Sequence, residues 1–189
     1  MKPLKLFMLL LGCKPSGRNT EQHDIFFAIG TDLKDLLPDI FDFWPEANQK
    51  IHIDAWREVN RVDNFDVSVV NRDENNTSTH EELVRLFFIN LGGYKPGEFE
   101  EFHYKVIAAA PNKGIAIQQA KKTAFYRHTG FKGATSHVDD KYGVDVDDLY
   151  EISDILPAAM KEKYSIRLTP AVTSTEDLLA LGYTILDKL

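Results

Sequence analysis

The sequence is poor in cysteine, in positive charge and in long apolar runs. Its single cysteine, Cys13, cannot form an internal disulfide, so a reducing compartment and a cytoplasmic location are expected. No apolar run approaches the roughly 20 residues that a membrane helix needs, so no membrane association is expected. Lysine and arginine (22) are outnumbered by aspartate and glutamate (29), which gives a formal net charge of −7. Because a nucleic-acid binder needs a basic face for the phosphates, nucleic acid is not expected as a partner.

What the sequence does contain is the composition of an ordinary soluble globular protein. Hydrophobic residues make up 43% of the chain and charged residues 27%, which argues against a disordered chain. A chain of 189 residues can form one large domain or two small ones.

Two segments resemble each other at a spacing of 80 residues. Residues 6–23 (LFMLLLGCKPSGRNTEQH) and 86–103 (LFFINLGGYKPGEFEEFH) are identical at seven of eighteen aligned positions. In the first segment the identical residues are Leu6, Phe7, Leu11, Gly12, Gly17, Glu21 and His23. Seven identities are far above the roughly one expected by chance, which predicts an internal duplication.

The N-terminal Leu-Leu-Gly-Cys run also resembles a bacterial lipoprotein signal, in which Cys13 would be lipidated after cleavage. The apolar run Leu6–Leu11 is short for a signal, and its counterpart Leu86–Leu91 lies in mid-chain, where no signal operates. We therefore predict that Leu6–Leu11 is a buried strand, and whether the run is ever processed stays open.

Both halves of the chain show the predicted order ββαββ, with local patterns typical of strands and helices. In the first unit, residues 4–71, the predicted elements are strands at 6–11, 22–29, 50–59 and 65–70 and a helix that Thr31 caps and that Pro38 kinks or splits. In the second unit, residues 84–158, they are strands at 85–91, 102–109, 135–141 and 149–155 and a helix at 115–126. The tail, residues 159–189, has a predicted strand at 164–168 and a short helix from Ser174 to Leu181. The predicted fold class is α+β, a tandem duplication of a ββαββ unit with a pseudo-two-fold relation, packed with the tail as one compact globule.

Three motifs, LLGCKPSGRNTEQHD, FWPEANQKIHIDAWREV and HVDDKYGVDVDD, resemble a bacterial family described as domain of unknown function 1543. Members of that family carry one or two copies of the unit, which matches the predicted duplication. The resemblance implies a small bacterial protein of undefined activity and supplies no catalytic residue.

A cluster of histidines and carboxylates is the candidate catalytic or metal site. Glu21 and His23 stand two residues apart on one predicted strand, as His52 and Asp54 do on another, so each pair shares a face. If the strands are neighbours, the four side chains meet. The predicted counterparts in the second unit are Glu101, His103, His137 and Asp139.

Three interpretations of this cluster stay open. Two histidines with a carboxylate are a ligand set for zinc or non-haem iron, so a divalent metal is one hypothesis. A histidine oriented by a carboxylate can also act as a general acid or base. The favoured interpretation is a structural or substrate-binding polar cluster, because a duplicated unit retains what both copies need to fold.

The loop after the first strand is the candidate ligand-binding segment. Lys14, Arg18, Asn19 and Gln22 could surround a small polar or anionic ligand, and the second copy lacks all four of these side chains at the aligned positions. The alternative is a solvated hairpin loop. Trp56 and Arg57 could clamp a planar ligand, although a tryptophan in an apolar strand is more often part of the core.

The favoured function is a binding module for a small ligand or a protein partner, built on a duplicated unit. The alternative is a metal-dependent or acid/base enzyme that uses the Glu/His/His/Asp cluster. A homodimer is compatible with the sequence. Cys13 as a nucleophile is disfavoured, because a lone cysteine after an apolar strand is more often a small core residue.

Overall fold

The structure is a computed structural model that describes residues 2–48, 50–72, 84–94, 97–129, 145–172 and 176–189. Contacts divide the chain into two compact units: unit 1 comprises residues 1–79 and 155–189, and unit 2 comprises residues 80–154. The strands are β1 Lys5–Cys13, β2 Gln22–Gly30, β3 His52–Glu58, β4 Arg61–Val62, β5 Phe65–Asn71, β6 Arg85–Tyr94, β7 Glu101–Ala110, β8 Asp145–Glu151, β9 Tyr164–Pro170 and β10 Ala180–Ile185. The helices are α1 Leu37–Phe43, α2 Lys113–Thr129, α3 Ile152–Ile155 and α4 Ala158–Lys163. The strands pair antiparallel, and the predicted α+β class is confirmed.

The main sheet of unit 1 has the strand order β10-β3-β1-β2, with β1 in the interior. Leu6, Phe7, Leu9 and Leu11 of β1 are each at most 1% exposed, because a nearly continuous apolar run can pack on both faces of a sheet. The strand predicted at 6–11 is confirmed and continues to Cys13. Gly12 and Cys13 therefore belong to the strand, and the loop that joins β1 to β2 begins at residue 14.

The segment after β2 begins with a capped 3₁₀ turn, Leu33–Leu36, which leads into α1. Asp32 is the N-cap, where Thr31 was predicted, and its carboxylate accepts a hydrogen bond from the Lys34 backbone N–H at 3.2 Å. The Asp35 carboxylate in turn accepts from the backbone N–H and hydroxyl of Thr31 at 2.8 and 2.7 Å. Of the two outcomes predicted at Pro38, a kink or a split, the split is confirmed, because the 3₁₀ turn ends at Leu36 and α1 begins at Leu37. Pro38 lies in the first turn of α1, where its missing N–H costs no hydrogen bond.

Replacing Asp32 by alanine is expected to lower the free energy of unfolding by about 1 kcal/mol, because the Lys34 backbone N–H loses its acceptor. Urea unfolding at neutral pH measures this change. Lys2→Ala is the matched control, since it removes only the exposed ion pair of Asp32 with Lys2, which solvent screens and which contributes little to stability. An equal loss in both variants would assign the effect to the ion pair and contradict the role of the cap.

A second sheet in unit 1 has the order β4-β5-β9. The tail therefore supplies one strand to each sheet of this unit, since β9 pairs with β5 and β10 pairs with β3. Residues 180–181, predicted to end a helix, instead begin β10, so that prediction is wrong. Hydrogen bonds to β3 satisfy the backbone groups of this segment better than a short exposed helix would. The predicted cap, Ser174, lies outside the described residues.

Unit 2 is a sheet of order β7-β6-β8 on which α2 packs. Its core contains Phe87, Ile89 and Leu91 of β6 together with Ala116 and Ala120 of α2. The strand predicted at 135–141 lies outside the described residues. The strand predicted at 149–155 is correct only to Glu151, because α3 begins at Ile152. Among the described helices of both units, none is long and apolar enough to cross a membrane.

Candidate functional site

A row of three residues crosses the main sheet of unit 1 near the end of β1. Gly12 of β1 lies opposite His23 of β2 on one side and opposite His52 of β3 on the other. The central position of the row has no side chain, so two imidazoles flank an open space above the backbone.

A β-bulge brings a carboxylate into this space. The β1–β3 register passes from the pair Leu10/Ala55 to the pair Leu11/Ile53, which leaves Asp54 as the extra residue. Such a bulge redirects a side chain. A Cβ atom at Gly12 would lie 2.5 Å from His52 Nε2 and 2.6 Å from Asp54 Oδ2, so glycine is required for this close approach.

Glu21, at the entrance to β2, completes the cluster. His52 Nε2 lies 3.0 Å from Glu21 Oε1 and 3.4 Å from Asp54 Oδ1. His23 Nε2 lies 3.2 Å from Asp54 Oδ2 and 3.7 Å from Glu21 Oε2. The structure thus brings together the four side chains that the sequence singled out, with histidines and carboxylates alternating around a ring.

The cluster is buried on the β3 side and open on the β2 side. His52 is 7% exposed and is the one buried polar or charged residue within the described part of the chain. The side chains of Glu21 and His23 are 43% and 42% exposed. His52 Nε2 and Asp54 Oδ2 are buried atoms that form no hydrogen bond of normal geometry, although Glu21 Oε1 and His23 Nε2 are their respective close neighbours. Buried polar atoms normally have a partner, so these two atoms require an explanation.

Tyr183, on β10, covers the buried histidine. Its ring centroid lies 4.3 Å from that of His52, with the two planes inclined by 35°. No sequence pattern indicated this contact, because the segment before Gly182 was predicted to be a helix and not a strand.

The predicted ligand-binding residues do not all lie in one place. Lys14, Arg18, Asn19 and Gln22 are exposed or half-exposed on the loop that joins β1 to β2 or at its end, and the Gln22 amide donates to the carbonyls of Thr20 and Glu21. Trp56 lines a separate cavity of about 560 Å³ with Glu58, Asn60, Arg61, Asp66 and residues 176–180, and its ring lies 6.3 Å from that of Phe7. Arg57 pairs with Met8 of β1.

Cys13 is 1% exposed, and burial raises the pKa of its thiol. The negative charges of Glu21 and Glu46 raise this pKa further. A nucleophilic cysteine needs the opposite environment, one that stabilises the thiolate. Cys13 is therefore a core residue beside the cluster.

Unit 2 builds a similar framework from different strands. Gly92 of β6 lies opposite His103 of β7 and Asp145 of β8, and the β6–β8 register shifts so that Asp147 is the extra residue. Position by position, Asp145 and Asp147 take the places of His52 and Asp54. The predicted counterparts His137 and Asp139 lie outside the described residues.

Three side chains of unit 2 converge on this framework. One donor atom each from Glu101, His103 and Asp147 can be chosen so that all three lie within 4.8 Å of one another, and His103 Nε2 is 3.4 Å from Asp147 Oδ2. The hydroxyl of Tyr94 is hydrogen-bonded to Glu101, and this bond together with the charge of Glu101 raises the pKa of Tyr94. The sequence analysis missed Asp145 and Asp147 as counterparts of His52 and Asp54. The signal that could have indicated them is the pattern Asp145-Val146-Asp147, in which an apolar residue separates two polar ones as in His52-Ile53-Asp54.

Comparison with known proteins gives a family-model match over part of the chain and a similar solved structure. Residues 18–69 match the family model of a Domain of Unknown Function (DUF1543), which confirms the predicted resemblance over the segment that contains Glu21, His23, His52 and Asp54. The crystal structure of protein Il1583 from Idiomarina loihiensis is similar, with a TM-score of 0.60 and 20% identity over 97% of each chain. At this identity the similarity shows the fold alone. The search of curated proteins gave no match.

Proposed function

We propose that this chain, whose residues 18–69 belong to the DUF1543 family, binds a divalent transition-metal ion through Glu21, His23, His52 and Asp54. The observation that carries the proposal is the buried Nε2 atom of His52, which has no hydrogen bond and faces two carboxylates. A buried ring nitrogen between two acceptors needs a cation or a proton, and a metal ion satisfies the nitrogen and both carboxylates at once.

The donor set suits zinc or another borderline metal. Two neutral imidazoles and two carboxylates carry a charge of −2, which offsets the charge of a divalent ion. Nitrogen and oxygen ligands at about 2.0–2.1 Å from a tetrahedral ion lie about 3.3 Å apart. The contacts between imidazole nitrogens and carboxylate oxygens in the ring are 3.0, 3.2, 3.4 and 3.7 Å. The two imidazoles contact different oxygens of each carboxylate, so each carboxylate must turn to present one oxygen to a shared ion.

The purely structural interpretation is less well supported. A polar cluster that serves only folding normally satisfies its buried atoms. His52 Nε2 and Asp54 Oδ2 form no hydrogen bond of normal geometry, although they lie 3.0 Å from Glu21 Oε1 and 3.2 Å from His23 Nε2. An acid/base pair is compatible with the contact of His23 and Asp54 at 3.2 Å. An acid/base pair of these two residues leaves no role for the second histidine, His52, and the second carboxylate, Glu21, which contact each other and the pair.

The open side of the cluster supports an extension of the proposal to a small anionic ligand. Glu21 and His23 are half-exposed, so an ion there remains accessible from the loop. Lys14, Arg18 and Asn19 lie on that loop and provide positive charge and hydrogen-bond donors. A metal-dependent reaction on such a ligand is the enzymatic alternative.

We further infer that the two frameworks descend from a duplicated unit. Both units have a central glycine opposite a histidine, a bulged aspartate, and the order β1-β2-α1-β3 or β6-β7-α2-β8. The fourth strand of the predicted unit has no such support, because β5 pairs with β9 and β8 is followed by α3. The repeated element is then ββαβ.

Metal analysis of the untagged protein tests the proposal. The chain is purified without a His-tag, its metal content is measured, and the metal-free form is titrated with Zn²⁺ and with Co²⁺, whose visible absorption reports the ligand geometry. The Asp147→Asn variant isolates unit 1 from the second candidate cluster. We expect one tightly bound ion per chain in this variant. A folded chain that takes up neither Zn²⁺ nor Co²⁺ overturns the proposal.

A further inference from the structure

We propose that unit 2 carries a second divalent-cation site, formed by Glu101, His103 and Asp147, which is weaker and less selective for Zn²⁺ than the site of unit 1. The inference concerns other residues, so it does not depend on occupancy of the first site.

The backbone of unit 2 is shaped for this cluster. Asp147 is the bulged residue of β8, and the bulge directs its carboxylate over Gly92, where an added Cβ atom would collide with it. His103 lies opposite the same glycine on the other side, and Glu101 stands two residues before it on the same strand. Three donors from two strands therefore meet over Gly92, which has no side chain.

The difference between the two sites lies at the position of His52. Its counterpart, Asp145, is turned away: its side chain is 89% exposed, accepts a hydrogen bond from the Val146 N–H at 2.8 Å and lies 3.8 Å from Lys121 Nζ. Unit 2 consequently offers one imidazole and two carboxylates, where unit 1 offers two of each.

This donor set determines the class of cation. Carboxylates and water suit harder ions such as Mn²⁺, whereas imidazole nitrogens favour Zn²⁺. Three protein ligands leave coordination positions for water, and no buried histidine fixes the geometry. The hydrogen bond of Tyr94 to Glu101 orients one ligand from outside the cluster, a common arrangement around metal ligands.

Titration of the metal-free full chain with Mn²⁺ alone tests the inference, with unbound Mn²⁺ followed by electron paramagnetic resonance. Asp147→Asn is expected to weaken the Mn²⁺ affinity of the unit 2 site by at least about tenfold, and His103→Ala is expected to do the same. His52→Ala is expected to leave the Mn²⁺ affinity of the unit 2 site unchanged. Asp145→Asn is the matched control, because it alters an exposed carboxylate on the same strand that is not a ligand.

Competition completes the test. In the His23→Ala, His52→Ala double variant, where unit 1 keeps no imidazole, the ratio of Zn²⁺ to Mn²⁺ affinity is expected to be smaller than at the site of unit 1 in Asp147→Asn. Mn²⁺ binding that survives when Asp147→Asn is added to this double variant, or that Asp145→Asn weakens equally, overturns the second site. Failure of the unit 1 proposal would give a different result: the Zn²⁺ affinity of the chain would be the same with and without His52→Ala.

Discussion

Replacing His52 by alanine is expected to weaken Zn²⁺ binding at unit 1 by more than about 100-fold, a loss of about 2.7 kcal/mol in binding free energy. His52 is the buried member of the four ligands, and its Nε2 atom contacts both carboxylates. Without the imidazole, the remaining donors are Glu21, His23 and Asp54, and the two carboxylates lose the neighbour that fixes their spacing. Competition against a chromophoric chelator measures the dissociation constant.

The same substitution is expected to remove the effect of metal on stability. An ion that binds only the folded chain raises the free energy of unfolding by about 2.7 kcal/mol when its concentration is 100 times the Kd. Zn²⁺ should therefore raise the melting temperature of Asp147→Asn but not that of the His52→Ala, Asp147→Asn double variant. His103→Ala is the matched control, a histidine removed from the other unit that leaves the unit 1 response in place. An equal Zn²⁺ response in the double variant would contradict a metal role for His52.

The convergence of the four ligands could be predicted because it rests on local rules. Apolar runs define β1 and β2, and side chains two residues apart on a strand share a face, which places Glu21 with His23 and His52 with Asp54. The strands that carry these two pairs, β2 and β3, are not the neighbours that the prediction supposed, because β1 lies between them and the side chains meet across Gly12. The pairings of β1 with β2 and with β3 span much less sequence than those of β9 and β10, and they position the whole cluster.

The register of the second unit could not be obtained in the same way. Matching by residue identity aligns His52 with His137, whereas backbone pairing with β6 places Asp145 at that position. Register depends on which side chains pack in the core, here Val146 and Leu149. A bulge adds one residue to one strand only, so identity at a single histidine cannot detect it.

The contributions of the tail depend on long-range pairing. β5 pairs with β9, and β10 pairs with β3, each across about a hundred residues or more of sequence. Residues 178–185 are mostly apolar but form only a short segment, so their sequence alone does not determine their secondary structure. Pairing with the edge of β3 makes residues 180–185 a strand. Tyr183 reaches the face of His52 only through this pairing, which explains why no local motif pointed to it.

Replacing Gly12 by alanine is expected to weaken Zn²⁺ binding by at least about tenfold with little change in the rest of the sheet. The new methyl group would stand 2.5 Å from His52 Nε2 and 2.6 Å from Asp54 Oδ2, so one or both ligands must move. Alanine is otherwise tolerated in a strand better than glycine. Any loss of stability, of about 1–3 kcal/mol, would therefore come from this overlap.

Gly17→Ala separates the two effects of replacing a glycine. Gly17 has a φ of +80° and no neighbouring atom within 4 Å of an added Cβ, so its replacement strains the backbone without touching the cluster. We expect Gly17→Ala to lower the free energy of unfolding by about 1 kcal/mol and to bind Zn²⁺ as the unmodified chain does. Gly12→Ala should instead lose Zn²⁺ affinity by at least about tenfold, because a small displacement of ligands is costly at a fixed coordination geometry. If Gly12→Ala binds as tightly as the unmodified chain, the open space above Gly12 is not where the ion is held.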